Sequence, residues 1–135
     1  MLSASRSRLI VRALVAALIL GLVPFAAPAL GSEATGTVYE VYPGDDFRSI
    51  HNTMQPGDQL VFHEGEYRIS EYRALYGYNS FFYLERPGTP DKPIVLRGYG
   101  NGEKRPVFIY DSPGANLMEV RADNIVIDYM EFQAV

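Results

Sequence analysis

The sequence predicts an all-β chain wound as a parallel β-helix, with a short N-terminal capping helix ahead of its first two to three coils. Three observations predict it. Pro-Gly-Asp occurs twice within a short span, at Pro43-Gly44-Asp45 and Pro56-Gly57-Asp58, so the chain turns two similar corners. A helix-like stretch runs between them, and short apolar strands separated by turn residues follow the second. No helical periodicity runs through the second half. Strands so short and unevenly spaced suit a solenoid better than long hairpins, with a β-sandwich or jelly roll as the alternative that periodicity alone does not remove.

The first residues read as a leader. Arg6, Arg8 and Arg12 form a basic region, Ala13 to Val23 is an unbroken apolar run, and Pro24 ends it before the small residues Ala26, Ala27 and Ala29. These are the three parts of a secretory signal peptide, predicted over 1–29, and they place the mature chain in a secreted or periplasmic compartment. Ala27-Pro28-Ala29 is the expected cleavage site, with Ala29-Leu30-Gly31 as its rival. The run is shorter than the roughly 20 apolar residues of a spanning helix, so no stable membrane span is expected after cleavage; an uncleaved anchor is the alternative.

Cleavage changes the charge. Without those three arginines the twelve basic residues fall to nine, against sixteen acidic ones, a net of −7. That excludes nucleic acid as an expected partner, because phosphate binding needs a basic face. It also weighs against long-range electrostatic capture of an acidic polymer. The chain has no cysteine, so neither a disulfide framework nor a C-x-x-C site is available. About 105 mature residues make one small domain.

A short linker is expected over 30–36, then the folded part over 37–135. Thr37 to Pro43 reads as a strand. Asp45 or Asp46 caps a helix that places Phe47, Ile50 and Met54 on one face, and Pro56 stops it. "QLVFH" is the next strand. Segment 68–91 is non-periodic and rich in tyrosine and phenylalanine, and reads as an aromatic loop insertion. Beyond it, "PIVLRG", "RPVFIY", "NLMEV", "NIVID" and "MEFQ" are strands. Ile94/Leu96, Val107/Ile109, Leu117/Val120 and Ile125/Ile127 are the expected inward positions.

The quoted segments "VYPGDDFRSI", "MQPGDQLVFHEGEY", "RPGTPDKPIVLRGYG", "RPVFI" and "NIVIDYMEFQ" together resemble the N-terminal region of right-handed parallel β-helix proteins of the pectin-lyase-like superfamily. They look most like chondroitinase B and alginate lyase-type polysaccharide lyases. The resemblance rests on Pro56-Gly57-Asp58, Gly65, Gly88-Thr89, Pro93-Ile94 and "IVIDYMEF", and spans roughly Val38 to Phe132. Tyr129 departs from it, standing where glycine is usual. It implies a secreted, polysaccharide lyase-like protein acting on acidic glycans, with catalytic residues and calcium carboxylates on coils beyond Val135. This chain then reads as an inactive fragment or truncated frame, or as a chain that stacks on something else. The alternative is a non-catalytic β-helix module that binds carbohydrate or a surface.

No catalytic residue is assigned within the chain. A lyase needs a base for the proton alpha to the carboxylate and a cation for the developing negative charge. Arg97, Arg105, Lys104 and Arg121 are the available cations, each more readily a solvated or salt-bridged surface group. His63 and Glu64 are adjacent, but neighbours on a strand point to opposite faces. Asp45 and Asp46 suit a helix cap better than calcium. No metal ligands are identified, and the cofactor is unknown, with calcium suggested only by the resemblance. Tyr72, Tyr76, Tyr78 and Tyr83 are the carbohydrate-contact candidates, since a tyrosine ring stacks on a sugar while its hydroxyl hydrogen-bonds. A polysaccharide is the expected partner; oligomeric state is not legible.

Overall fold

The computed structural model describes residues 36–135, so the predicted leader at 1–29 and all of the linker but Gly36 lie outside the described residues. The elements in order are β1 (Val38–Val41), α1 (Phe47–His51), β2 (Gln59–Phe62), β3 (Glu66–Arg68), α2 (Ile69–Tyr76) and β4 (Ser80–Leu84). Then come β5 (Ile94–Gly98), β6 (Val107–Tyr110), β7 (Asn116–Val120), β8 (Ile125–Asp128) and β9 (Glu131–Ala134).

The two Pro-Gly-Asp corners are the same turn. Asp45 N donates to Tyr42 O at 3.0 Å, and Asp58 N to Gln55 O at 3.0 Å. Proline takes the first central position and glycine the second, with φ +97° at both Gly44 and Gly57. That is the type II arrangement, in which the left-handed second position favours glycine. In each, the aspartate folds back to accept the amide that opens the turn, Tyr42 N at 2.8 Å and Gln55 N at 2.8 Å. The two then differ. Asp58 is buried, and its other oxygen accepts Thr37 N at 2.8 Å, fixing the entry to β1.

Asp46 caps α1, its carboxylate accepting Ser49 N at 3.1 Å. The helix ends at His51, one turn short of Met54, which is buried from the following turn instead.

All strand pairs are parallel, in three separate sheets: β1-β2-β5-β8, β3-β6-β9 and β4-β7. This corrects the predicted all-β class and the right-handed parallel β-helix with capping helix and two to three coils. Among the described residues no sheet closes or continues as a solenoid, and two helices accompany the strands, so the class is mixed α/β. The physical reason lies in what a short apolar run encodes. It marks a buried strand, but not its partner or the number of sheets. Segment 68–91, expected to be a loop insertion, supplies α2 and β4. Ile69, Tyr72 and Tyr76, three and four apart, are the helical spacing that the dense aromatics obscured.

Parallel register stacks like on like across the sheets. Leu60 pairs with Leu96 and Leu96 with Ile127; Tyr67 pairs with Phe108 and Phe108 with Phe132. The rings follow, with centroids 4.7 Å apart for Tyr67–Phe108 and 5.6 Å for Phe108–Phe132. At β6 the expected inward pair Val107/Ile109 is corrected: Phe108 is the residue in the central cluster. A strand apolar at every position has no alternation from which to read parity. Val120 and Ile127, also expected inward, are 54% and 38% exposed, because their strands β7 and β8 end their sheets.

Candidate carbohydrate-contact surface

The four predicted tyrosines separate into two pairs. Tyr72 faces inward from α2, 1% exposed, beside Phe47 at a centroid distance of 5.1 Å, and its hydroxyl accepts Gly44 N at 2.9 Å. Tyr78 is 4% exposed; its hydroxyl donates to the Asp46 carboxylate and accepts Arg48 N, and the Arg48 guanidinium lies 3.7 Å above its ring. Burial pushes both phenols well above their usual range, so they stay neutral hydrogen-bonding groups. Their rings hold α1 and α2 together and are closed to a sugar, which corrects their assignment as contacts. Tyr76 is on the surface, its hydroxyl donating to Gly44 O at 2.7 Å. Tyr83, half-buried on β4, has the Arg121 guanidinium 5.0 Å over its ring.

The first corner brings a residue that sequence reasoning passed over. Tyr42, 49% exposed, directly follows β1 and stacks on His63 at 4.1 Å and 7° between ring planes; Tyr99 covers the other face of His63 at 4.4 Å. The register explains the stack. Val41 pairs with Phe62 and Phe62 with Gly98, so the next residue of each strand falls in one column. A reader with the pairing in hand would find it; the sequence alone does not supply the pairing.

His63 does not meet Glu64. Its Nδ1 lies 3.0 Å from Glu103, and its Nε2 lies 3.7 Å from Glu40. Glu103 also accepts Glu64 N at 2.9 Å, and Glu64 in return accepts Lys104 N at 2.9 Å. This reciprocal tie pins the 99–106 loop against the end of β2. The Glu64 amide, and then His63, hold the Glu103 carboxyl below its usual range.

An open cleft adjoins this tie, lined by Glu64, Gly65, Glu66, Lys104, Arg105 and Glu131, among others. Each carboxylate there already has a donor: Lys104 N on Glu64, Arg68 on Glu66 at 2.7 Å, and Gln133 on Glu131 at 2.6 Å. Lys104 and Arg105 have no carboxylate within 4.0 Å among the described residues. Arg105 sits 5.0 Å over the ring of Tyr129, which leaves the guanidinium edge outward. Tyr129 has φ +51°, the left-handed conformation that favours glycine and the reason a glycine is the expected residue there. Pro43 packs against Gly65, where an added Cβ would come within 2.6 Å of Pro43 Cγ. Contacts therefore run from Tyr76 through the Pro43-Gly44 turn to Gly65 and the cleft.

The other cations stand apart from this surface. Arg97 projects outward from β5 and Arg121 is held by Glu119 at 3.4 Å. Asp45 and Asp46 serve their turn and cap. Among the described residues no group of three histidine, aspartate or glutamate side chains is arranged to hold a metal ion. No helix among them is long and apolar enough to cross a membrane.

His51, on the buried side of α1, is 2% exposed, and neither ring nitrogen has a hydrogen-bond partner among the described residues. Burial, with Arg86 adding to it and Glu85 opposing, pushes the imidazole down to about 4. An unfolded histidine titrates near 6.5, so between the two values the unfolded chain binds more protons. The stability that neutral His51 permits is full above about pH 6.5 and is lost as pH falls toward 4. Between pH 7 and 4.5 the native chain is expected to lose about 2–3 kcal/mol more than His51→Leu. Urea midpoints at the two pH values check this, and equal losses would contradict it.

No family model, curated protein or solved structure matches the chain.

Proposed function

We propose that this is an exported chain that binds acidic carbohydrate without cleaving it, along the surface from Tyr76 and Tyr42 to the Lys104–Arg105 cleft. The observation that carries the reading is the state of that cleft. Its carboxylates are all engaged by donors, its two cations are not, and exposed tyrosine lies beside it. A sugar ring needs an aromatic face, and a uronate carboxylate needs a forked or point donor; both are within this surface. The chain's excess of acidic residues gives no long-range attraction, so selectivity rests on contact and binding depends only weakly on salt.

Polysaccharide lyase-like cleavage, which the family resemblance suggests, has less support from the geometry. The cleft carboxylates Glu64, Glu66 and Glu131 are each engaged by a donor, and the nearby histidine, His63, is 8% exposed, enclosed between two rings and hydrogen-bonded to Glu103. It does not reach a proton in the cleft. Titration calorimetry with a galacturonate hexamer and its carboxyl-reduced counterpart tests the proposal. The acidic hexamer is expected to bind about tenfold more tightly, and Lys104→Gln with Arg105→Gln is expected to erase that difference. Absorbance of a new unsaturated uronate end would show cleavage instead. Absence of binding to either hexamer would overturn the reading.

A further inference from the structure

His63 touches both halves of the proposed carbohydrate surface, and it does so with different parts of its ring. The faces are taken by tyrosines, Tyr42 with ring centroids 4.1 Å apart and Tyr99 at 4.4 Å. The edge is taken by the 99–106 loop, whose Glu103 carboxylate oxygens lie 3.0 and 3.2 Å from Nδ1. An ionised carboxylate only accepts, so Nδ1 carries a proton and donates it. Nε2 lies 3.7 Å from Glu40 and is buried without a hydrogen-bond partner among the described residues. The ring's hydrogen bond therefore goes to the residue that immediately precedes Lys104 and Arg105. Arg105 leans on Tyr129, and the Tyr129 hydroxyl in turn reaches Glu103 O at 3.4 Å, so that contact too is anchored at Glu103.

We infer, on the reading of this surface as a carbohydrate site, that His63 is the positioning residue that joins its aromatic half to its cationic half. The ring faces fix Tyr42, and so the plane offered to a sugar. The Nδ1–H fixes Glu103, and so the place where Lys104 and Arg105 meet a uronate carboxylate. Holding those cations still is what gives acidic glycan its advantage over neutral glycan. Charge attraction falls with separation, and a loop that must be ordered on binding gives back part of the affinity. The two roles use different atoms, so substitution separates them. His63→Phe keeps a ring between the two tyrosines and removes the Nδ1–H donor. His63→Asn removes the ring, while the asparagine amide supplies a donor close to the place of Nδ1.

Calorimetric titration of the native chain and both variants with the galacturonate hexamer and its carboxyl-reduced counterpart tests this. His63→Phe is expected to erase the acidic hexamer's roughly tenfold advantage while leaving affinity for the reduced hexamer within about twofold. His63→Asn is expected to weaken both hexamers alike and to keep the advantage. Glu103→Ala, at a side chain 28% exposed, breaks the tie from the loop side and should repeat the first result even if His63→Phe fails to fold. Amide hydrogen exchange needs no glycan. Lys104 N, which donates to Glu64 at 2.9 Å, is expected to exchange about tenfold faster in His63→Phe and in Glu103→Ala. Unchanged exchange, or an acidic advantage kept in both variants, would overturn the inference and leave the carbohydrate reading standing. Faster exchange in a chain whose native form binds neither hexamer would overturn the carbohydrate reading, and the discrimination with it.

Discussion

Replacing Phe108 by alanine is expected to destabilise the chain by about 3–5 kcal/mol, the range for removing a buried phenylalanine that its neighbours do not refill. Phe108 is fully buried at the middle of β6, between Tyr67 of β3 and Phe132 of β9 in register. Its ring also lies 5.2 Å from Phe62, 5.0 Å from Phe82 and 5.4 Å from Phe81, so it touches all three sheets. Rigid rings on several sides cannot collapse into the space. Small domains have about 5–15 kcal/mol in total, so much of the stability rests on this contact. A urea midpoint shifted by the equivalent of less than 1 kcal/mol would mean that the three sheets do not share a core at Phe108.

Asp58→Ala is expected to cost about 3 kcal/mol, against less than about 1 for Asp45→Ala in the same type of turn. The contrast follows from surroundings rather than sequence. Asp58 is 5% exposed and accepts two backbone amides, Gln55 N and Thr37 N, from two separate segments. Its removal leaves both donors under-satisfied and frees the start of β1. Asp45 is exposed, and its carboxylate serves the one amide of Tyr42 that water can also reach. Equal losses in the pair, read from urea curves at pH 7, would mean that the Thr37 tie contributes nothing.

Much of the local structure was legible because its signals are local. The turns, the Asp46 cap and most strand positions follow from proline, glycine, aspartate and apolar runs within a few residues. Sheet organisation was not, because pairing joins residues far apart; Glu66 meets Val107, and Tyr110 meets Ala134. The candidate surface failed for the same reason. Tyr72 and Tyr78 differ from Tyr76 only in which side of α2 and its C-terminal turn they occupy, which the aromatic density of 68–91 hid. The His63–Glu103 contact spans forty residues, and nothing near either residue announces it. Tyr129 is the reverse case. Its departure from the expected glycine was visible in the sequence, and the structure shows the left-handed backbone that makes it a departure.

Carbohydrate binding at the Tyr42–Lys104 corner is the claim on which the functional account depends. The most direct measurement is a titration of the isotope-labelled chain with the galacturonate hexamer, followed by amide chemical shifts. The account predicts saturable changes confined to Tyr42, Gly44, Gly65, Tyr76, Lys104, Arg105 and their neighbours, with the amides of β4 and β7 unmoved. Shifts confined to β4 and β7, or none at millimolar hexamer, would contradict it.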